Sequence, residues 1–339
     1  MRAAVFAGPG RIALERRSAP RPGPSEVLIE VRACGVCGTD VHILDGQYPA
    51  SPHIALGHEY AGLVVEVGAG VTGLAADDRV AVDPNIPCGG CPACRRGDVH
   101  LCDGLQALGV TRDGGFAQLC RVPATQAYRL PDDLGFEVGA LAEPLSCCLH
   151  GLDLAGIRPG DRVAILGAGP IGLLMTQLAR GAGAAVVVVT DLVPERRRLA
   201  RELGADVALD PGAGTLGDAL PGGADVVLEC VGAPATAAQA LDLARRGGTV
   251  VWFGVTPPGA AVSVEPYTVY RKELTVRGAF VNPRTFGRAI TLLAQRRVRT
   301  EPLVSHRFGL AAVSEAIAAV KRREAVKALI LPQEERRTP

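Results

Sequence analysis

The sequence has no excess of charge of either sign and no long hydrophobic run. Its 36 Lys and Arg residues balance 35 Asp and Glu residues, which gives the 339-residue chain a formal net charge of +1 at pH 7. Without a basic excess, we expect neither a nucleic acid nor an acidic membrane as a partner. The apolar run at residues 184–189 is far shorter than the ~20 residues of a membrane-spanning helix, and the first residues lack the apolar core of a signal peptide. These absences predict a soluble cytoplasmic protein.

The chain contains enough apolar material for more than one core. Hydrophobic residues make up 48% of its 339 positions, and this length predicts two domains. In the first half, short strand-like segments at 26–32, 60–67 and 79–82 are separated by glycine-containing turns, and signals for helices are few. This pattern predicts an all-β amino-terminal part with a barrel-like core.

Two short segments of this amino-terminal part carry side chains that zinc accepts as ligands. Cys37 opens the first segment, and His58 and Glu59 form the second. Glu143 is a fourth candidate, much further along the chain. Any one of these residues alone is more commonly a packing or surface residue. Together they match a catalytic metal with three protein ligands and one exchangeable position.

The most specific local signal is a group of four closely spaced cysteines in a loop rich in Gly and Pro. The four residues are Cys88, Cys91, Cys94 and Cys102. Four thiolates fill every position of a tetrahedral zinc ion, and we therefore predict a structural zinc site. An iron–sulfur cluster also takes four cysteines and is the alternative interpretation, although no second cluster motif accompanies this one. Disulfides are not expected in a chain without an export signal.

From about residue 151 the pattern changes, and a glycine-rich turn follows a buried strand. The strand at 162–166 leads into Gly167, Gly169 and Gly172 and then into an apolar helix. Gly167 permits a tight bend, Gly169 lets a pyrophosphate approach the backbone at the helix N-terminus, and Gly172 lets helix and strand pack closely. In this context the glycines predict a dinucleotide-binding turn.

An acidic residue at the end of the next strand indicates which dinucleotide is bound. Asp191 follows Gly172 by 19 residues and would accept hydrogen bonds from the adenosine ribose hydroxyls. Its carboxylate would repel a 2′-phosphate, which favours NAD over NADP. Arg196 acts in the opposite direction, because a guanidinium attracts that phosphate. We predict NAD, with NADP as the weaker alternative.

The alternation of strands and helices continues through the second half. Further strands are predicted at 225–229, 249–253 and 274–277, and helices at 194–203 and 235–245. This order predicts a parallel doubly wound sheet, which holds its ligand at the carboxyl ends of the strands. Gly254, Phe280 and Asn282 follow two of those ends and are candidate cofactor contacts.

The last part of the sequence predicts one more helix and one more strand. The helix is predicted at 285–297 and the strand at 302–306. The polar residues 333–339 are expected to be disordered.

Five motifs in this order resemble those of the zinc-dependent medium-chain dehydrogenase/reductase family, which includes alcohol, sorbitol and threonine dehydrogenases. They are the segments 37–42 and 57–59, the four-cysteine group, residues 142–145 and the turn at 167–172. The resemblance spans nearly the whole chain. It implies an α/β protein with a GroES-like β-barrel catalytic domain at 1–147 and 285–339, a structural zinc lobe at 84–104, and a Rossmann NAD-binding domain at 148–284.

The resemblance also implies two zinc ions per chain. Cys37, His58 and Glu59 match the family's catalytic-zinc ligands, and Asp40 matches the acid that orients the ligand histidine. Glu143 stands where the polyol and threonine branches place a glutamate.

The same resemblance implies the cofactor contacts and the proton path. Ile171, Asp191 and Arg196 match positions that contact NAD in sorbitol dehydrogenases. Zinc would lower the pKa of a substrate hydroxyl, and hydride would pass to the nicotinamide ring. A helix that begins near Gly38 would turn Thr39 and His42 to one side, where they would relay the proton outward together with a cofactor ribose hydroxyl.

The substrate is less defined than the chemistry. The pattern favours a small-molecule secondary alcohol, such as a polyol, sugar alcohol or diol, that is interconverted with its ketone. Sorbitol dehydrogenases carry Arg-Tyr where this chain has Val281 and Asn282, and a tyrosine where it has Ile43, so that long polyols should bind less tightly. The alternatives are L-threonine or another hydroxy-amine as substrate, and a zinc- and NAD-binding protein without catalysis. The resemblance further implies a homo-oligomer, a dimer or a tetramer, joined edge to edge through the dinucleotide-binding domains.

Overall fold

The chain divides into two compact units in a computed structural model that describes residues 1–213 and 216–334. Unit 1 comprises Met1–Ser146, Asn282–Arg296 and the residues from Thr300 onward. Unit 2 comprises Cys147–Val281 and Arg297–Arg299.

The described residues form 17 strands and 11 α-helices. The strands are β1 (Arg2–Gly8), β2 (Arg11–Arg16), β3 (Glu26–Gly35), β4 (Glu59–Val67), β5 (Arg79–Val82), β6 (Asn85–Ile86), β7 (Gln106–Ala107), β8 (Leu119–Pro123), β9 (Ala127–Arg129), β10 (Arg162–Leu166), β11 (Val186–Thr190), β12 (Val207–Leu209), β13 (Ala224–Glu229), β14 (Ala244–Trp252), β15 (Thr275–Gly278), β16 (Val304–Gly309) and β17 (Lys327–Leu331). The α-helices are α1 (Gly38–Leu44), α2 (Pro92–Arg96), α3 (Phe136–Gly139), α4 (Ala142–Ala155), α5 (Pro170–Gly181), α6 (Pro194–Glu202), α7 (Leu216–Ala219), α8 (Pro234–Leu243), α9 (Pro266–Lys272), α10 (Phe286–Ala294) and α11 (Val313–Lys321).

Unit 1 is built around a seven-stranded sheet. Its strand order is β16-β17-β3-β4-β5-β9, with β8 also paired to β3, and the short pairs β1-β2 and β6-β7 lie outside it. Val27, Ile29 and Val31 point to one side of β3 and are completely buried, because alternate residues of a strand share a face. β17 is buried along its whole length and pairs antiparallel with β3. The predicted β domain in the amino-terminal part is confirmed.

Unit 2 is a parallel sheet of six strands. The order β12-β11-β10-β13-β14-β15 is that of a doubly wound fold, in which the connections reverse direction beside the first strand. Val163, Ala164 and Ile165 in β10 are completely buried, as expected for a strand covered on both faces. The predicted doubly wound parallel sheet is confirmed.

The prediction of an all-β amino-terminal part with few helices needs one correction. Three short helices occur there ahead of α4: α1 has 7 residues, α2 has 5 and α3 has 4. Helices this short show no amphipathic repeat in the sequence, because tertiary contacts rather than a periodic apolar face hold them. The helix expected from Gly38 does begin there.

The predicted disordered tail at 333–339 is wrong at its start. Gln333 donates hydrogen bonds from Nε2 to the carbonyls of Val31 at 3.0 Å and Gln118 at 2.8 Å, which anchor it in unit 1. Residues 335–339 lie outside the described residues. Among the helices that the structure describes, none is both long and apolar enough to cross a bilayer.

Candidate functional site

Three of the four predicted catalytic-zinc ligands meet where β3 and β4 run side by side. Gly35, the last residue of β3, pairs with Glu59, the first residue of β4. Cys37 follows β3 directly as the N-cap residue of α1, and His58 precedes Glu59, so that the pairing brings both segments together. A Cβ atom on Gly35 would lie 2.0 Å from Glu59 Oε2, so that glycine leaves room for the carboxylate in this position.

The ligand atoms of Cys37, His58 and Glu59 fit a zinc ion. One sulfur, one nitrogen and one oxygen lie within 4.8 Å of one another, which suits bonds of about 2.0–2.3 Å to a common ion. His58 and Glu59 are buried, and Cys37 is half-buried. His58 Nδ1 is buried and has no hydrogen-bond partner. A buried polar atom without a partner is unfavourable, and this imidazole is therefore suited to binding a metal ion and an acid that orients it.

Asp40 lies on the inner side of this cluster. Its Oδ2 accepts a hydrogen bond from the Cys37 amide at 2.9 Å, and its Oδ1 is 3.8 Å from His58 Nδ1. Burial by itself lowers the pKa of His58, but the Cys37 thiolate, Asp40 and Glu143 outweigh burial and raise it well above its usual value. Burial raises the pKa of Asp40. The imidazole thus lies in a negative environment that a cation would compensate.

Lys327 is a member of the cluster that the sequence reasoning missed. Its Nζ forms an ion pair with Glu59 Oε2 and donates a hydrogen bond to the carbonyl of Val36 at 3.1 Å. Burial by itself lowers the pKa of Lys327, but Glu59, Cys37 and Glu143 raise it above its ordinary value. A signal was present in the sequence, because Lys327 begins a strand whose other four residues are apolar.

Glu143 is close to the cluster without belonging to the three-ligand group. It is buried in the first turn of α4 with 7% of its surface exposed. Its negative charge acts on both His58 and Lys327.

The two residues of the predicted proton path lie on α1. Thr39 Oγ1 is 3.6 Å from Cys37 Sγ, and Thr39 is half-buried. His42 follows three residues later and is also half-buried. Its Nδ1 is 2.9 Å from Gln47 Oε1, a partner that the sequence reasoning did not name.

The four cysteines of the predicted lobe also come together. Their sulfur atoms lie within 4.8 Å of one another. Backbone amides point at the sulfurs: Cys88 N donates to Cys102 Sγ at 3.2 Å, and Cys91 N to Cys88 Sγ at 3.4 Å. Hydrogen bonds from the amides of Cys94 and Asp103 lower the pKa of Cys91 to about 6, whereas desolvation and the neighbouring thiols raise the pKa of Cys94 to about 12. Such a spread is typical of thiols that share their protons and need a cation before all can ionise.

The glycine turn of unit 2 has the conformation that a dinucleotide needs. Gly167 has a φ of +96°, which favours glycine. A Cβ at Gly172 would lie 1.8 Å from the carbonyl oxygen of Gly167, so that only glycine permits this packing. A Cβ at Gly169 would meet nothing within 4 Å, and this open space at the N-terminus of α5 fits an approaching phosphate. Ile171, in the first turn of α5, is half-buried.

Asp191 is fixed at the end of β11 by two backbone amides. Its Oδ2 accepts a hydrogen bond from Ala168 at 2.8 Å and its Oδ1 one from Val193 at 2.9 Å. Arg196 is half-buried. Arg197, which the sequence reasoning did not single out, donates to the Asp191 carbonyl at 2.7 Å and pairs with Asp210 Oδ2 at 3.1 Å.

The remaining candidate cofactor contacts lie in different surroundings. Gly254 approaches Gly232 so closely that a Cβ on Gly254 would lie 2.1 Å from the Gly232 amide nitrogen. Phe280 is 45% exposed. Asn282 is 2% exposed, and its amide group is hydrogen-bonded at both ends inside unit 1, to Ser146 and Asn85.

The chain matches known proteins along nearly its whole length. Residues 23–132 match the family described as "Alcohol dehydrogenase GroES-like domain", and residues 170–295 match "Zinc-binding dehydrogenase". The sorbitol dehydrogenase of Gallus gallus is 38% identical over 335 residues, covering 95% of this chain and 93% of that protein. The D-altritol 5-dehydrogenase of Agrobacterium fabrum is 36% identical over 319 residues, covering 91% and 93%.

A solved structure agrees with these relatives. A protein from Sinorhizobium meliloti 1021, described as a zinc-binding dehydrogenase and bound to NADP, has a TM-score of 0.95 and 44% identity, covering 98% of this chain and 99% of its own. With the ligand cluster, the doubly wound sheet and these relatives together, the chain belongs to the zinc-dependent medium-chain alcohol and polyol dehydrogenase family.

Proposed function

We propose that the protein oxidises a secondary alcohol group of a polyol or diol to a ketone and reduces NAD, and that it catalyses the reverse reaction. The observation that carries the proposal is the convergence of Cys37, His58 and Glu59, three zinc-ligand types from two separate segments, in a chain that also forms a dinucleotide-binding turn. Both relatives described above are named for sugar-alcohol substrates.

The two proposed zinc sites differ in whether a coordination position remains for the substrate. Cys37, His58 and Glu59 would hold one zinc, with Glu143 as the fourth ligand or as a close neighbour. The four cysteines would hold a second zinc with a purely structural role, because their thiolates leave no position for a substrate. When bound at Cys37, zinc supplies a Lewis acid that lowers the pKa of an alcohol hydroxyl.

The residues around the first site can remove the proton of the alcohol. Thr39 presents its hydroxyl beside Cys37, and His42 lies three residues further along α1 and hence on the same side of the helix. A hydroxyl can accept one proton while it donates its own, and an imidazole is suited to exchanging protons with water. Thr39 and His42 would therefore pass the proton outward, while Gln47 holds the imidazole ring.

The position of Asp191 supports NAD as the cofactor. Each of its two oxygens accepts one backbone amide, which fixes the carboxylate and leaves further lone pairs for ribose hydroxyls. A fixed negative charge there would repel a 2′-phosphate. The nearby Arg197 guanidinium is already paired with Asp210. Because the relative from S. meliloti binds NADP, cofactor choice has to be measured together with the substrate.

The surroundings of two departures from sorbitol dehydrogenases favour short substrates. Ile43 is completely buried in the core of unit 1, and the amide of Asn282 already has a partner at each end. Sorbitol dehydrogenases have a tyrosine at the position of Ile43 and Arg-Tyr at the positions of Val281 and Asn282. Neither Ile43 nor Asn282 would offer a long polyol the hydrogen bonds that those polar side chains can give. We therefore propose a diol or a short polyol as the better substrate.

A substrate panel tests the proposal directly. Zinc-loaded protein is assayed with NAD and with NADP on vicinal diols, tetritols, pentitols, hexitols and L-threonine between pH 7 and 10. The expected result is reduction of NAD with a diol or polyol and little turnover of L-threonine. Turnover of L-threonine alone would assign a hydroxy-amine substrate, and the absence of any turnover of alcohols by a protein with its full zinc content would refute the proposal.

We further propose that the protein forms a homo-oligomer through unit 2. β15 is an edge strand of the parallel sheet and most of its residues are exposed. On α9, Tyr267 is 63% exposed and Tyr270 76%, although large aromatic side chains are usually covered. Light scattering on a size-exclusion column should give a multiple of the 35.1 kDa chain mass, and a monomer at micromolar concentration would contradict the proposal.

A further inference from the structure

A chain of hydrogen-bonded polar groups in unit 1 leads from β6, within the lobe of the four cysteines, to the first turn of α4. Asn282 stands at its centre, with 2% of its surface exposed. Its Nδ2 donates to Ser146 Oγ at 2.8 Å, and its Oδ1 accepts from Asn85 Nδ2 at 2.6 Å. Ser146 Oγ in turn donates to the carbonyl of Glu143 at 2.6 Å.

Further hydrogen bonds hold both ends of this series of polar side chains. At one end, Asn85 donates its backbone amide to Asp83 Oδ1 at 3.1 Å, and Gln126 Nε2 donates to the backbone carbonyls of Asp83 and Asn85. At the other end, Thr285 Oγ1 donates to the carbonyl of Ser146 at 2.7 Å. Buried polar groups are costly unless all are hydrogen-bonded, and a fully satisfied network therefore holds its members in one arrangement.

The backbone on both sides of Asn282 is held in an unfavourable conformation. Val281 has a φ of +47° and Arg284 a φ of +57°. Positive φ is rare for residues other than glycine, and it is especially unfavourable for a β-branched residue such as valine. Conformations of this kind persist where the surrounding contacts determine them, and they concentrate at functional sites. The hydrogen bonds of the Asn282 amide are contacts of that kind.

We infer that Asn282 is a positioning residue for the metal site: through Ser146 it fixes the first turn of α4 and hence the direction in which Glu143 presents its carboxylate to the zinc held by Cys37 and His58. The inference rests on the proposed function, because it takes Glu143 as a partner of that zinc. It assigns Asn282 a role different from the cofactor contact that its place after β15 had suggested.

The expected effect is on zinc affinity, because groups that orient a metal ligand contribute to binding without touching the metal. Asn282→Ala and Ser146→Ala should each weaken zinc binding at the Cys37 site about 10–100-fold, as is usual for the loss of a partner behind a ligand. The double variant should be little worse than either single variant, because both changes break the same chain of hydrogen bonds.

The measurement is competition for zinc between the full-length protein and a chromophoric chelator. Cys37→Ser protein reports the four-cysteine lobe alone and allows the two zinc populations to be separated. Thr176→Val serves as the matched control, because its buried hydroxyl donates to the Gly172 carbonyl within a helix of unit 2, in the way that Ser146 donates to Glu143. This control should leave zinc affinity unchanged. If Asn282→Ala does not fold, Ser146→Ala carries the test.

Three outcomes separate this inference from the proposed function. If Glu143→Gln weakens zinc binding and Asn282→Ala and Ser146→Ala do the same, the inference holds. If Glu143→Gln weakens binding but the other two variants match Thr176→Val, the positioning role is refuted while the proposed metal site stands. If Asn282→Ala raises only the KM for NAD, with zinc affinity unchanged, Asn282 is a cofactor contact and the inference is overturned.

Discussion

Lys327 and Glu59 form an ion pair that is almost completely buried, with 2% and 1% of their side-chain surfaces exposed. The pair joins β17, near the end of the chain, to the first residue of β4. Since Glu59 is also one of the three clustered metal-ligand candidates, Lys327 shares this carboxylate with any zinc bound there. A buried charge without a partner is strongly unfavourable, and we therefore expect Lys327 to compensate the Glu59 carboxylate when zinc is absent.

Replacing Lys327 with Met should destabilise the zinc-free protein by about 3–5 kcal/mol, because it leaves Glu59 as an unpaired buried charge. The loss should be smaller in zinc-loaded protein, where the metal compensates the carboxylate. Chemical denaturation with and without zinc measures both values. Lys321→Met is the matched control: Lys321 pairs with Asp45 at 2.6 Å with 56% of its side chain exposed, and such surface pairs contribute at most about 1 kcal/mol. Equal losses in the two variants would contradict the assigned role of Lys327.

Replacing Cys37 with Ser should remove one zinc per chain and lower kcat/KM on the order of 10³-fold, since loss of the Lewis acid removes several kcal/mol of transition-state stabilisation. The fold should persist, because β3 and α1 are held by other contacts. Metal analysis, circular dichroism and the alcohol assay check the three parts. Cys230→Ser, at a half-buried thiol outside both clusters, should keep its full zinc content. Retained turnover in the zinc-depleted Cys37→Ser protein would show that the site is not catalytic.

Replacing Cys91 with Ser should lower stability and leave the chemistry intact, the opposite of the result expected for Cys37→Ser. One ligand of the four-cysteine lobe is lost, and the free energy of unfolding should fall by several kcal/mol, because metal binding there stabilises a segment with little apolar core of its own. Cys88, Cys94 and Cys102 would then release zinc readily to a chelator. Residual activity per correctly folded molecule should remain close to that of the unmodified protein. Unchanged thermal stability together with full zinc content would rule out a structural metal at this position.

Asp83 gives unit 1 a defined pH dependence. Burial raises the pKa of its carboxyl from 3.8 to about 6. The folded protein therefore holds this proton more tightly than the unfolded chain. The contribution of Asp83 to stability is fully present below its unfolded pKa and is lost as the pH rises through about 6. The loss amounts to about 3 kcal/mol at most.

The Asp83→Asn variant tests this dependence. Asparagine keeps an oxygen that can accept the hydrogen bond from the Asn85 amide but does not ionise in this range. The variant should gain stability relative to the unmodified protein as the pH rises from 4 to 7, because it does not have to bury a charge. Denaturant unfolding at four pH values gives the comparison. A constant difference between the two proteins across this range would contradict the raised pKa of Asp83.

Asp191 should decide between the two dinucleotides. Its replacement by Ala should lower kcat/KM for NAD about 10–100-fold, which corresponds to the loss of hydrogen bonds from ribose to a charged acceptor. It should also improve the use of NADP, since the carboxylate that repels a 2′-phosphate is gone. Steady-state kinetics with both cofactors measure the ratio. An unchanged preference in the Asp191→Ala protein would move the choice of cofactor to other residues, with Arg196 the next to replace.

The sequence alone determined the local elements whose function depends on spacing along the chain. The four cysteines lie within 15 residues of one another and the glycine turn within 6, so that the geometry of each follows from its own segment. The strand at Arg162–Leu166 was predicted to the residue, because a short, mostly apolar run that ends at a glycine turn is typical of a buried strand in a parallel sheet. The motifs together also indicated the family.

Only the tertiary structure decided which distant residues act together. Lys327 reaches Glu59 because β17 pairs with β3 and β3 with β4, and nothing in a local pattern reveals that register. The inward placement of Asn282 likewise depends on contacts with Ser146 and Asn85, which are far away in the sequence. Pairing between distant strands and the burial of polar side chains are fixed by the packing of the whole unit, and a window of neighbouring residues does not contain that information.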